Sequence, residues 1–571
     1  MSEASLNRRQ FLGVSAGALG AVSSGWAQSP HGAGTWNLRV TEQPDLIDAY
    51  CGDAQAVRQP MSRTGEQWDA VFQGAAIEVL FGARTVEANV VLHAPVVHVQ
   101  RLHLRWLRSV PQQAIVLGDA WERSYGELAW LPLTADRPLP WYMLLHHDGK
   151  TAGAGVKTGA AAFAFWQADQ EGISLWLDVR NGGNGVMPGK RELRLAAVVQ
   201  HESAGGESAW QAAQNLCRRM AADVRRPAVR GKQNTSVIFG SNDWYYAHGR
   251  NTADGILRDA DLVARLAPGG ATQPTTVIDD GYQDSKRFPS MSRLAEEIRS
   301  RGVTPGIWIR PLRAPVDTPE AMLLPDARWG KPSCGRGALA YDPSVPEGLQ
   351  AALATVKQAC DWGYDFIKHD FTTWEMLGQW GNEMGASPTR PGWHFNDRTQ
   401  TNAEIVAAFY QGIRSSCGEE RVILGCNTVG HLAVGIFDAQ RTGDDVSSGN
   451  WDRTRRMGVN TLAFRLPQHG SFFTLDPDCV PLAVEVPWEK TRQWLNAVAN
   501  SGTVLLISAQ PEATGPEQQE AIREAFAQHV SGASSKPLDW LDSCIPDTWQ
   551  DRTGLRRYSW LEAGGASPFP V

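Results

Sequence analysis

From residue 35 to about residue 224 the apolar positions fall in short runs. Residues 75–80, 90–92, 96–102 and 173–179 carry β-branched, leucine and aromatic side chains between Gly, Pro and Asp, the pattern of strands. A helical spacing first emerges at 207–222. This predicts an N-terminal β-sandwich over residues 33–225, ending in a connecting helix. The basic, proline-containing run 225–232 predicts a linker.

Beyond it the rhythm changes to strand, helix, strand, helix. Strands are predicted at 235–240, 275–279, 304–309, 365–370, 422–426, 439–442, 461–465 and 503–507. Helices are predicted at 254–266, 292–301, 347–362, 403–416 and 489–500. Eight such units over residues 233–510 predict a (β/α)8 TIM barrel. An open doubly wound sheet would carry a glycine-rich phosphate-binding first turn, and the chain has none there. A short C-terminal segment, 511–571, holds one predicted helix at 516–530. The fold class is therefore multidomain: a β-sandwich, a barrel and a short tail.

The first 27 residues read as an address. Asn7-Arg8-Arg9-Gln10-Phe11-Leu12-Gly13 sets a twin arginine before a short apolar run, and Gly25-Trp26-Ala27 offers small residues for cleavage. This predicts a Tat signal and a periplasmic or secreted protein. No later stretch approaches about 18 consecutive apolar residues, so no membrane span is expected. The net charge of −7 supplies no global basic field for nucleic acid or anionic lipid.

Metal and phosphate motifs are missing. The eight cysteines form no CxxC pair, and no HExxH occurs. His93, His98 and His103 recur at an odd interval that alternates strand faces, which reads as strand or surface histidine and not a ligand triad. Gly149-Lys150-Thr151 has the end of a P-loop, but Leu144 stands where that motif needs Gly. Neither a metal nor a cofactor is expected. Tryptophan is abundant at 23 residues, which suits both sugar stacking and a plain core.

Barrel enzymes place their chemistry at the C-terminal ends of the strands. Those ends carry Asn242-Asp243-Trp244, Asp279-Asp280-Gly281, Trp308-Ile309-Arg310, Lys368-His369-Asp370, Cys426-Asn427 and Arg441-Thr442-Gly443-Asp444-Asp445. Residues 366, 368 and 370 share one strand face, so Lys368 and Asp370 point together. A cation beside a carboxylate keeps it ionised, as a nucleophile requires. Two carboxylates across one pocket are the machinery of glycoside hydrolysis. Trp244, Trp308 and Trp374 are placed to cover a sugar face.

At these residues the chain resembles the α-galactosidases of glycoside hydrolase families 27 and 36, and family 36 more closely. Val277-Ile278-Asp279-Asp280-Gly281-Tyr282-Gln283 is similar to their IDDGWQ strand, and Phe366-Ile367-Lys368-His369-Asp370 to their YIKxD nucleophile strand. Arg441-Thr442-Gly443-Asp444-Asp445 resembles the acid/base segment, and His469-Gly470 with Asp476-Pro477-Asp478-Cys479 a further family stretch. The resemblance implies a retaining, metal-free enzyme acting on α-galactosides. It implies Asp370 as nucleophile and Asp444 as acid/base, with Asp279, Asp280, Lys368, Trp244, Trp308, Cys426, Arg441 and Asp445 around the sugar. Strand parity alone does not choose between Asp444 and Asp445. Cys426-Asn427-Thr428 departs from the family's glycine-rich turn, and Arg310 stands where many members carry Glu. These departures leave the exact sugar open, and transfer to another sugar in place of water. Two other classes compete: a Schiff-base lyase or aldolase using Lys368, and a sugar-binding protein without catalysis on the same scaffold.

Overall fold

The structure, a computed structural model, describes residues 36–561 apart from 53, 58–65, 85, 225, 232, 271 and 331–338. The twin-arginine segment and Cys334 lie outside the described residues.

Two antiparallel sheets form the N-terminal region. One has six strands and the other eight. Alternation sets which side chains enter the core: in Glu87–His93, Ala88, Val90 and Leu92 are buried and the residues between them half-buried. Phe81 of the larger sheet packs on Trp106 of the smaller one, with ring centroids 6.1 Å apart, and Trp106 packs on Trp166 at 6.2 Å. Six tryptophans, at 106, 141, 166, 494, 549 and 560, are among the largest fully buried side chains. Much of the tryptophan content is therefore core. Gly149 belongs to the Asp148-Gly149 turn joining Tyr142–His147 to Lys150–Val156; both residues have positive φ, the requirement of a tight hairpin. The connecting helix Ala209–Met220, started by a Ser208–Gln211 capping box, lies over Gly153 and Gly155, which leave room for Leu216 and Met220.

A nine-membered parallel ladder follows. Strands one to six are Phe239–Asn242, Thr275–Ile278, Thr304–Ile309, Phe366–His369, Val422–Gly425 and Ala439–Arg441, each beside its successor. Strand eight, Leu505–Ala509, pairs with strand one. The seventh position is a broken strand. Thr474–Asp476 pairs with strand six and Val480–Leu482 with strand eight. The Leu475 carbonyl accepts from Val504 N at 2.8 Å, so the ring closes there as a TIM-like barrel. The break falls at Pro477-Asp478, where Asp478 takes φ +73°.

The strand expected at 461–465 is a helix instead. It ends a helical run over 451–465 that includes a π segment, Arg455–Asn460. Five residues with three apolar positions, Leu462 to Phe464, have no period long enough to tell strand from helix. Packing decides: a Cβ on Gly458 would stand 2.8 Å from the Trp494 ring, so the run lies tightly on helix Trp488–Ser501. The other seven predicted strands overlap observed ones. After the barrel come helix Pro516–Val530 and a three-stranded antiparallel sheet, Lys536–Pro537, Thr548–Asp551 and Gly554–Arg557. From residue 37 onward the described residues form one compact unit, in which sandwich and barrel are not separate bodies.

Strand one has its own constraint. Gly240 has φ +148°, and a Cβ there would lie 1.8 Å from the Thr275 carbonyl oxygen. Gly240→Ala should destabilise the fold by about 2 kcal/mol or more, read as a lower urea midpoint than the parent's.

Candidate active site

The C-terminal ends of strands one, two and four meet in a buried charge pair. Lys368 Nζ donates to Asp279 Oδ2 at 2.7 Å, and Asn242 Nδ2 donates to the same oxygen at 2.8 Å. Burial works to lower the Lys368 pKa, but the Asp279 carboxylate outweighs it and holds the ammonium charged. The expected Lys368–Asp370 partnership is thus replaced. Lys368 sits two residues below Asp370, roughly 6–7 Å down the strand, and its chain reaches across the barrel to strand two. Asp243, just past the end of strand one, supports this pair: its Oδ1 accepts from Asp279 N at 2.7 Å, and burial, then the charge of Asp279, push it up to about 7. Asp280 is half-buried, with Oδ1 accepting from Gly281 N and Gln283 Nε2.

Asp370 accepts from two N–H groups. Trp308 Nε1 donates to Oδ2 at 3.2 Å, and Phe371 N to Oδ1 at 2.7 Å. The second bond follows the left-handed turn at Phe371, φ +62°. Trp308 is therefore a hydrogen-bond donor as well as a ring. Trp244 packs partly on the barrel core. Trp374 stacks on Trp380 with centroids 5.1 Å apart, which covers one of its faces.

Strands five and six contribute Cys426 and Arg441. Arg441 donates to Cys426 Sγ at 3.2 Å, to Asp478 at 2.7 Å and to Asp445 at 3.1 Å. Asp478 also binds the Tyr245 hydroxyl and Val446 N. Burial, then the Asp370 carboxylate, push the Cys426 thiol well above its usual value.

The two aspartates after strand six face different ways. Asp444 is clamped, with Oδ1 2.7 Å from Arg123 and Oδ2 2.7 Å from Arg453. Asp445 has Oδ1 alone on Arg441 and, at 3.8 Å, on Arg123, and its side chain is 41% exposed. Burial works to raise Asp445, yet Arg441, Arg123 and Lys368 bring it down to about 2. Asp445, and not Asp444, thus joins the Lys368–Arg441–Cys426 group. The expectation has Asp444 facing the mouth with Asp445 turned aside; the contacts instead commit both Asp444 oxygens to arginines and pair only Oδ1 of Asp445.

Sequence reasoning missed Glu122 and Arg123. They sit on a loop of the sandwich that reaches the barrel mouth. Glu122 accepts from Gly381 N at 2.8 Å and from Asn427 Nδ2. Nothing local marks these residues; Trp121-Glu122-Arg123-Ser124 reads as an ordinary polar turn, and only the packing of two distant segments brings it here. Arg310, the family departure, pairs with buried Glu375 at 2.7 Å and lies 4.2 Å over the Phe371 ring. Among the described residues no group of three or more His, Cys, Asp or Glu could hold a metal ion.

No family model matches the chain. Solved structures do. TtGalA, an α-galactosidase from Thermus thermophilus, superposes with TM-score 0.58 at 19% identity, over 87% of this chain and 100% of that one. The fold is that of the GH36 α-galactosidases. The galactosidase domain of the α-galactosidase-sucrose kinase AgaSK gives 0.57 at 14% identity, over 92% and 78%. GH36 AgaB from Geobacillus stearothermophilus gives 0.53 at 12%, over 85% and 75%.

One pH effect follows from the charges at this mouth. Burial pushes Glu375 from 4.5 up to about 7 against Arg310 and Arg328, with Asp370 adding to the rise. A carboxyl whose pKa is raised on folding contributes stability below its unfolded value and loses it as pH rises through the folded one. Glu375→Gln should therefore reduce the fall in Tm between about pH 4.5 and 7. Melting curves of both proteins across that window, running parallel, would refute the assignment.

Proposed function

We propose that the chain is a retaining, exo-acting glycoside hydrolase that releases terminal α-linked galactose, or a closely related sugar, by double displacement. The observation that carries this reading is the Asp370 carboxylate. It ends strand four beside the Asp279–Lys368 pair, held by two N–H donors and by no cation among the described residues. Such a group keeps its nucleophilicity, while the Trp308 and Phe371 N–H groups orient it.

For the acid/base we take Asp445 in place of Asp444. Both oxygens of Asp444 are occupied by guanidinium groups, whereas only Oδ1 of Asp445 is paired with one. Held low by Arg441, Arg123 and Lys368, Asp445 is an anion, the form the second half-reaction needs. A sugar hydroxyl that takes the Arg441 guanidinium frees the carboxylate to carry the proton for the first. The Asp279 and Asp280 carboxylates then accept from O4 and O6, and Lys368 donates to O3 and O4. The relatives support the sugar class: TtGalA is known in complex with stachyose, and a Geobacillus stearothermophilus AgaA variant in complex with raffinose. An imine at Lys368 has no comparable support, because a charged ammonium on Asp279 is not a nucleophile. A sugar-binding protein on the same scaffold would give Asp370 no role. The Arg8-Arg9 segment supports export to the periplasm or beyond.

Three measurements test this. Asp370→Asn should lower kcat/KM on nitrophenyl α-galactoside by about 10³-fold or more, about 4 kcal/mol, with unchanged circular dichroism; a variant of near-parental rate excludes Asp370 as nucleophile. Asp445→Ala should slow alkyl galactosides far more than nitrophenyl ones, and Asp444→Ala should show a smaller contrast. The α-galactoside should outrun the α-glucoside by up to about 10⁴-fold, and equal rates would remove Asp279 and Asp280 from O4 recognition.

A further inference from the structure

We propose that Arg123, a residue of the N-terminal sandwich, is a positioning residue for the barrel's acid/base segment, holding Asp444 and Asp445 at the end of strand six. The inference rests on the reading of Asp445 given above and extends it to a different domain.

The loop that carries Arg123 is pinned along its length. Asp119 accepts from Arg465 at 2.8 Å and from Gln468 at 2.9 Å, and lies 2.8 Å from His431. Glu122 is tied to Gly381 and Asn427, and Arg465 also donates to the Glu122 carbonyl. Ser124 N donates to the Thr442 carbonyl at 2.9 Å, and Asp444 N donates to the Ser124 carbonyl at 2.9 Å. The loop thus adds a one-residue parallel bridge, Ser124 beside Gly443, to the end of strand six. Asn460 closes the far end, with Nδ2 donating to the Leu128 carbonyl at 2.8 Å. Each of these anchors is a barrel residue, while Trp141 of the sandwich donates its Nε1–H to the Trp121 carbonyl at 3.2 Å and holds the loop's other side.

Arg123 is the one arginine of this loop, and it is buried. A buried guanidinium is costly unless paired. Its pairs are Asp444 at 2.7 Å, Asp445 at 3.8 Å and Cys426 Sγ at 3.8 Å, with the Trp380 ring 5.3 Å away. All four lie in the barrel. Strand six cannot be displaced toward its other side either. A Cβ on Gly443 would stand 2.2 Å from the Met457 carbonyl oxygen, so the turn that carries both aspartates is wedged between the π segment and the sandwich loop. Arg123 fastens Asp444, which fixes the backbone of Asp445, and it faces Asp445 directly as a second cation beside Arg441. The other charged groups facing this pair are Arg453 from the following helix, Lys368 from strand four and Glu122 from the loop itself.

The test uses the full-length protein and reads the carboxylate without substrate. Carbon-13 carboxyl NMR locates Asp445 by the resonance lost in Asp445→Asn. In Arg123→Met its titration midpoint should move up by about one pH unit, and in Arg123→Lys, which keeps the charge, by less. An unmoved midpoint in folded Arg123→Met overturns the proposal. Should Arg123→Met fail to fold, Arg123→Lys decides by its kinetics. The ratio of alkyl to nitrophenyl galactoside turnover should fall about threefold or more while KM stays within about twofold, and the basic limb of kcat should shift to higher pH. An unchanged ratio with an unchanged limb would leave Arg123 as an interdomain fastener and overturn the proposal. Failure of the underlying reading looks different: Asp445→Ala would then affect both substrate types equally, whatever Arg123 variants do.

Discussion

The guanidinium of Arg441 is the contact on which the barrel mouth depends. It is 1% exposed and binds Cys426 from strand five, Asp478 from the break in strand seven and Asp445 from its own strand end. A charge this deep is tolerated only when its hydrogen bonds are made by groups that stay in place. Asp478 stays because Tyr245, after strand one, and Val446 N hold it. The break in strand seven is therefore not a defect. The left-handed Asp478 sets its carboxylate on Arg441, so the break that interrupts strand seven also supplies an anion to the site.

A second charge pair, Lys368 with Asp279, faces it across the barrel and obeys the same rule. Asp370 and Asp445 differ from the paired groups around them. Asp370 is held by neutral donors, and Asp445 has one oxygen committed and one open. That contrast separates side chains that build the mouth from those able to react in it. The buried acids Asp243 and Glu375 are both pushed up to about 7, chiefly by burial.

The sandwich is part of this arrangement. Its loop over residues 119–128 brings a cation to the end of strand six and a carboxyl to the turn after strand five. The barrel's polar groups at Thr442, Asn427, Gly381 and Arg465 find their partners on that loop. Without it these groups would meet solvent or stay unpaired, so the two regions share one polar core at the mouth.

Periodicity by itself determined the alternation of strands and helices, because each long amphipathic helix and each parallel strand repeats its local pattern enough times to be read. It also determined the strand-end acids Asp279, Asp280 and Asp370, since in a barrel a strand's end is a fixed place. Three features belonged to the tertiary structure alone. Residues 461–465 became helix because Gly458 lies on the Trp494 ring, a contact between segments distant in sequence. Lys368 pairs with Asp279 at the end of strand two, a partner two strands away that no single strand reveals. Asp444 and Asp445 were told apart by Arg123 and Arg453, one from another region of the chain and one from the next helix. Local sequence encodes local conformation and the facing of a strand. Which of two adjacent carboxylates is fastened, and which is left open, is decided by where distant charges come to rest.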